Sequence, residues 1–152
     1  MLCRWFLFSP LPQRRAVLSS IATAKSTADV TFIFTDSQSS SSLGRSAAAD
    51  YHDAAATRGS PFISVILSCD LGENLKRAAG GDRGNGSNTK LTDLDVLRDI
   101  RDKEDILHLK DENELDLDIT NLSHGDAAGV IYQHVVKVLQ RISGGDNRQI
   151  LK

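Results

Sequence analysis

The stretch "VTFIFTDSQ", residues 30–38, constrains the fold of this chain more than any other. Residues 30–34 are nearly all apolar or β-branched and do not alternate with polar residues, which predicts a strand buried on both faces, as in a parallel sheet. The chain then turns polar at Thr35 and Asp36. Many nucleotide-binding α/β proteins use an acid at the end of a buried strand to hold a metal or a substrate hydroxyl. Asp36 is therefore a candidate site residue.

The composition excludes several classes of protein. A length of 152 residues predicts one domain, and 40% hydrophobic residues, 25% charged residues and a net charge of −2 are typical of a soluble globular chain. The charge gives no reason to expect nucleic acid, and no apolar run approaches the ~20 residues that span a bilayer. Cys3 and Cys69 are isolated, and no two histidines share metal-ligand spacing within one helix. We therefore expect no disulfide framework and no metal site, and a reducing compartment, the cytoplasm, fits best.

The first 28 residues form a basic N-terminal segment. They contain Arg4, Arg14, Arg15 and Lys25, no acid, and many Ser, Ala and Leu residues. This composition is typical of a mitochondrial transit peptide. The alternative is that residues 13–24 form an ordinary helix of the domain. A mitochondrial location is thus the alternative to a cytoplasmic one.

The rest of the chain alternates predicted strands and helices. Periodicity and stop signals, such as Gly59, predict strands over 30–34, 62–67 and 114–120 and helices over 13–24, 43–58, 71–79, 93–104 and after Ser123. Expected N-caps are Asp70, Thr92 and Ser123. The alternation indicates an α/β fold with parallel strands and right-handed crossovers. Three strands are few, since such sheets usually have about five or six, so we expect that a front portion is missing.

From Asp29 onwards the chain resembles the C-terminal portion of the P-loop small-molecule kinases, a group with shikimate-kinase-like, gluconate-kinase-like and uncharacterised fungal members. The resemblance lies in "VTFIFTD", "FISVILSCDLGENLKR", the Gly-rich segment that leads to "KLTDLDVLRDI", and "ELDLDITNLS". It implies a three-layer, mostly parallel sheet with flanking helices, P-loop NTPase-like but N-terminally truncated. It also implies ATP, Mg²⁺ and a small-molecule phosphate acceptor, and it makes residues 29–152 a partial kinase-like domain.

The phosphate-binding loop of that family is absent from the sequence. No G-x-x-x-x-G-K-[ST] motif occurs, and in "GDRGNGSN" Ser87 stands where the lysine is required. The resemblance makes residues 80–90 a lid-like loop. It implies a catalytic role for Asp36 and Arg83 and cofactor binding by Arg77 and Lys90. The alternative is that Arg77 is a surface helix residue and that Arg83 is a solvated loop charge.

Three hypotheses about function follow. The first is an ATP-dependent phosphotransferase of the P-loop class, and the second is a partial kinase-like protein that is inactive alone because it lacks the phosphate loop. The third is a non-catalytic binding module that recruits a partner, or a second copy of itself, at an exposed sheet edge.

Overall fold

The computed structural model of the protein describes residues 11–80 and 91–146. The connection between the first two helices also contains a 3₁₀ turn, Lys25–Thr27. The helices and strands, in chain order, are α1 (Leu11–Thr23), α2 (Ser42–Arg58), β1 (Val65–Ser68), α3 (Leu71–Ala78), α4 (Leu94–Lys103), β2 (Leu115–Asp118) and α5 (His124–Asp146).

The predicted fold class, a three-layer and mostly parallel sheet, is wrong. Helices dominate, and the sheet that the described residues form has two strands, β1 and β2. They are parallel, with Val65 opposite Leu115 and Ser68 opposite Asp118. The crossover between parallel strands was predicted correctly, but two strands cannot form the central layer of a P-loop NTPase-like fold.

The predicted buried strand at residues 30–34 is also wrong, because this segment forms no strand and pairs with no described strand. Val30, Ile33 and Phe34 are 48%, 60% and 40% exposed. The aromatic side chains lie along α2, where Phe32 stacks under the guanidinium of Arg58 at 5.2 Å. An apolar run becomes a buried strand only if neighbouring strands form hydrogen bonds with its backbone N–H and C=O groups. None of the strands among the described residues does so for residues 30–34.

The chain divides into two compact units, and the first consists of residues up to Phe62 together with Ile106–His108. In this unit α1 and α2 pack together around buried apolar side chains, which are Leu18, Ala47, Ala48 and Leu107. Arg58, at the end of α2, donates to the carbonyl oxygens of Ile21, Ala28 and Val30 at 3.0–3.2 Å. These hydrogen bonds fix the connection between α1 and α2.

The second unit contains β1, α3, α4, β2 and α5. Strand β1 begins three residues later than predicted. Val65 and Ile66 are half-buried, and Leu67 and Ser68 are exposed, so the prediction of a buried strand is wrong. Strand β2 alternates half-buried leucines with exposed aspartates, as its sequence predicted. The buried apolar side chains of this unit are Ala78 and Val138.

The helix caps follow the sequence closely. Asp70 accepts the backbone N–H of Glu73 at 2.7 Å, and Ser123 accepts that of Asp126 at 3.1 Å, as predicted. For α4 the prediction was wrong by one residue, since Asp93 rather than Thr92 caps it. Gly59 ends α2 in the left-handed conformation with φ of 69°. These local signals are strong because each satisfies an unpaired backbone group of a helix end.

Candidate functional site

Asp36 is exposed and follows the irregular segment 30–35, rather than the end of a buried strand. Its carboxylate accepts hydrogen bonds from the backbone N–H of Ser37 at 2.8 Å, from the side-chain amide of Gln38, and from the hydroxyl of Tyr51 at 3.5 Å. The part of the chain that the structure describes gives Asp36 no ion pair. These contacts anchor the segment to α2 through Tyr51.

Tyr51 is a partner of Asp36 that the sequence did not reveal. Burial raises the pKa of the Tyr51 hydroxyl to about 12, and the negative charge of Asp36 adds to the effect. Tyr51 therefore keeps its proton at neutral pH and donates it to Asp36. The ring centroids of Phe34 and Tyr51 lie 5.1 Å apart, so Tyr51 also packs against an aromatic residue of the same segment. Its position on α2, 15 residues from Asp36, gave no sequence signal.

Arg77, the predicted phosphate ligand on α3, binds the end of β2 instead of facing a cleft. Its Nε donates to the carboxylate of Glu73 at 2.8 Å, and its Nη2 donates to the carbonyl oxygens of Ile119 and Thr120 at 3.0 and 3.2 Å. Hydrogen bonds from Lys76 and then Arg77 lower the pKa of Glu73. The carbonyl oxygens after β2 and the carboxylate of Glu73 therefore occupy this guanidinium, and its predicted role in cofactor binding stays a prediction.

The other predicted residues cannot be placed beside Asp36 or Arg77. Arg83 and Lys90 lie outside the described residues, together with nearly all of the lid-like loop. In addition, Asp36 belongs to the first unit and Arg77 to the second. The proposed catalytic and cofactor-binding roles of the four residues therefore stay predictions.

Polar groups converge at the carboxyl ends of the two strands, which is where parallel sheets place their ligands. Thr120 donates its backbone N–H and its hydroxyl to Asp118 at 2.8 and 2.5 Å and accepts the N–H of Asp70 at 2.9 Å. The hydroxyl and then the backbone N–H of Thr120 lower the pKa of Asp118. Arg101 donates to the carbonyl oxygen of Cys69 at 3.0 Å. The network ties β1, β2, α3 and α4 together, and its hydrogen bonds are those of a structural junction.

Metal sites and reactive thiols each require particular groups of neighbouring side chains. Over residues 11–80 and 91–146, no group of three or more histidine, cysteine or acidic side chains is placed to hold a metal ion. Cys69 is a free, half-buried thiol.

The outer edge of β1 is the feature that offers a binding surface. The carbonyl oxygen of Ser64 accepts a hydrogen bond from the backbone N–H of Leu115 at 2.8 Å. The carbonyl oxygen of Ser68 accepts one from the N–H of Ile119, the residue after β2, at 2.7 Å. In a parallel ladder alternate residues of a strand bond to one neighbour, so the N–H and C=O groups of Val65 and Leu67 point away from β2. Among the described residues no strand pairs with that edge. Leu67 is 45% exposed there.

Comparisons with known proteins do not identify a relative. No family model matches the chain, and neither the curated proteins nor the solved structures contain a match. The described helices include none that is long and apolar enough to cross a membrane.

Proposed function

We propose that the protein is a non-catalytic interaction module that binds an extended segment of a partner along the outer edge of β1. The observation that carries the proposal is the two-stranded parallel sheet itself. Parallel strands are usually buried inside larger sheets, whereas β1 presents the outward N–H and C=O groups of Val65 and Leu67. An added strand would pair with these groups and cover Leu67, which is the mode of binding called β-augmentation.

The side chains beside this edge define the segment that fits it. In the observed register Val65 and Leu67 share one face of the sheet with Leu115 and Leu117. On the opposite face the side chains beside the edge are Ile66 and Ser68, and the exposed Asp118 of β2 lies one strand further from the edge. An extended segment that alternates apolar residues with long basic residues, whose side chains reach across β1, fits both faces. A second copy of the chain is the other candidate occupant of the same edge. The free Cys69 thiol supports a reducing compartment, for which we propose the cytoplasm.

The test uses a synthetic peptide of alternating valine and lysine and the full chain labelled for amide exchange. If the peptide adds at the outer edge, the amide of Leu67 gains protection from exchange. The amides of Ile66 and Ser68 change little, since their N–H groups already face β2. Equal protection along the strand, or none, would contradict the proposal.

Two proline variants sharpen the test. Val65→Pro removes an N–H group that points away from β2, so the sheet is kept and peptide binding is lost. Ile66→Pro removes an N–H group that faces β2 and disrupts the sheet, which circular dichroism and thermal unfolding detect. If Val65→Pro bound the peptide as tightly as the unmodified chain, the edge would not be the binding surface.

The resemblance to P-loop small-molecule kinases stays a prediction about ancestry and activity. Its ATP-dependent phosphotransfer requires a phosphate loop, and no such motif occurs in the sequence. We therefore assign the interaction module as the function, and binding of Mg-ATP is the measurement that separates the two hypotheses.

A further inference from the structure

The segment Ile106–His108 belongs to the first unit, although the residues on either side of it belong to the second. Leu107 is one of the buried apolar side chains of the first unit and is only 5% exposed. The rest of that unit ends at Phe62, so a segment from far along the chain supplies part of its core. This is the arrangement of a peptide that is bound to a domain.

Main-chain pairing and one side chain hold this segment. Ser39 and Ile106 form an isolated antiparallel bridge, and the N–H of Leu107 donates to the carbonyl oxygen of Gln38 at 2.9 Å. The side chain of Ile106 is 48% exposed, so Leu107 is the anchor. A backbone edge with one buried anchor is the pattern of β-strand addition. We call the edge at Gln38 and Ser39, together with the place that the Leu107 side chain fills, the docking groove.

The edge of the docking groove is held by contacts with the start of α2. The hydroxyl of Ser41 accepts the N–H of Gly44 at 3.2 Å, and Nε of Arg45 donates to the carbonyl oxygen of Ser40 at 3.0 Å. Gly44 is buried, and a Cβ atom at this position would collide with the carbonyl oxygen of Ser39. Because these contacts are local, the edge needs no docked segment to keep its shape, which lowers the cost of binding.

We propose that the docking groove binds an extended segment of a partner protein, and that Ile106–His108 fills the groove as a tethered ligand that the partner replaces. The docked segment defines the chemistry of the partner: an extended strand, antiparallel to residues 38–39, with a leucine as the anchor. A second copy of this chain is a poorer occupant, because each copy already presents the same segment to its own groove at a high effective concentration. The site is separate from the β1 edge, which belongs to the second unit.

Amide exchange of the full, unmodified chain tests whether the segment is released locally. Release breaks one short bridge, whereas the N–H groups of Ala47 and Ala48 lie inside α2 and exchange only when the helix opens. The protection factor of the Leu107 amide should therefore be at least about tenfold smaller than those of Ala47 and Ala48. Equal protection of the three amides would show that the segment opens only with the whole first unit, and it would overturn the proposal.

A labelled peptide of residues 104–110, EDILHLK, tests recognition by the groove. In Leu107→Ser the tethered segment loses its anchor, so the peptide should bind this variant at least about tenfold more tightly than it binds the unmodified chain. Ile106→Ser is the matched control, because the exposed Ile106 side chain leaves the groove filled, and its binding should equal that of the unmodified chain. The same peptide with the change Leu107→Ser should bind none of the three chains.

The outcomes separate the proposal from its alternatives. No peptide binding to Leu107→Ser, binding equal to that of the unmodified chain, or binding that Ile106→Ser strengthens as much would overturn the proposal. Should Leu107→Ser unfold the first unit, which circular dichroism detects, the exchange comparison on the unmodified chain decides the question. A concentration-dependent dimer of the unmodified chain that Leu107→Ser abolishes in sedimentation would overturn the assignment to a partner protein, since the groove would then hold the segment of a second copy.

Discussion

At the residue scale, Asp50 forms a buried ion pair that joins the first two helices. This aspartate on α2 is buried, with its side chain 4% exposed, and it accepts hydrogen bonds from Arg14 and Arg15 of α1. The shortest distances are 2.6 Å from Nη2 of Arg14 and 2.6 Å from Nε of Arg15. Arg14 and Arg15 were recognised only as basic residues of an N-terminal segment, because their partner lies 36 and 35 residues further along the chain. Local pattern cannot predict such a contact.

Replacing Asp50 should destabilise the first unit strongly. In Asp50→Asn the Arg14 guanidinium, whose side chain is 10% exposed, loses its counter-charge at a buried position, whereas Arg15 is 64% exposed and stays solvated. We therefore expect a cost of about 3 kcal/mol, the low end of the range for breaking a buried pair. Urea unfolding followed by circular dichroism measures the change in free energy. Asp53→Asn is the matched control, since the Asp53 side chain is 82% exposed and lies 3.9 Å from His52. A cost of Asp50→Asn no larger than that of the control would show that the ion pair contributes nothing.

The same carboxylate should make stability depend on acid. Burial raises the pKa of Asp50, but the hydrogen bonds and charges of Arg14 and Arg15 outweigh burial and hold the pKa below its usual value. In the unfolded chain the pKa of an aspartate is about 3.9. Because the pKa of Asp50 is lower in the folded protein, its carboxylate stabilises the fold fully above pH ~3.9. This stabilisation is lost as the pH falls through the pKa of Asp50 in the folded protein. Unfolding measured from pH 6 downwards should therefore steepen below about pH 4. Asp50→Asn should show a shallower slope there, and parallel slopes would contradict this account.

At the scale of the elements, helices were predictable and sheet pairing was not. Caps and stop signals such as Ser41, Asp70 and Gly59 act within four residues, so the bounds of α2 and α3 follow from local sequence. Strand β2 was predictable because its leucines and aspartates alternate, as expected for a strand with one half-buried face and one exposed face. The segment at 30–34 has the composition of a strand, but pairing depends on residues distant in the chain.

Gly59 and Gly129 should respond to alanine with opposite signs. Gly59 has φ of 69°, and an added Cβ would meet no atom within 4 Å. The cost of Gly59→Ala is therefore conformational, about 1 kcal/mol of unfolding free energy. Gly129 lies inside α5, also with nothing within 4 Å of an added Cβ, so Gly129→Ala should stabilise the helix by about 0.5–1 kcal/mol. Thermal unfolding of both variants checks the signs, and a neutral Gly59→Ala would show that α2 does not depend on its left-handed end.

At the scale of the whole molecule, each unit is held by few buried side chains. In the described residues the buried apolar set is small, and no large side chain is less than 2% exposed. Apolar side chains remain exposed at β1 and along α5, where Leu67, Tyr132 and Leu139 lie at the surface. Exposed apolar stripes of this kind mark interaction surfaces.

The chain alone should not bind ATP with useful affinity. In P-loop kinases a nest of backbone N–H groups and a lysine supply most of the binding to the triphosphate, and the motif that builds them is absent from the sequence. Calorimetry with Mg-ATP should show no saturable heat up to low-millimolar nucleotide. A dissociation constant of tens of micromolar or tighter would instead favour the kinase resemblance.

If Mg-ATP does bind, Arg83→Ala and Lys90→Ala should weaken that binding, provided that those residues contact the phosphates. Arg77→Ala should act mainly on stability, because its guanidinium bonds to the end of β2.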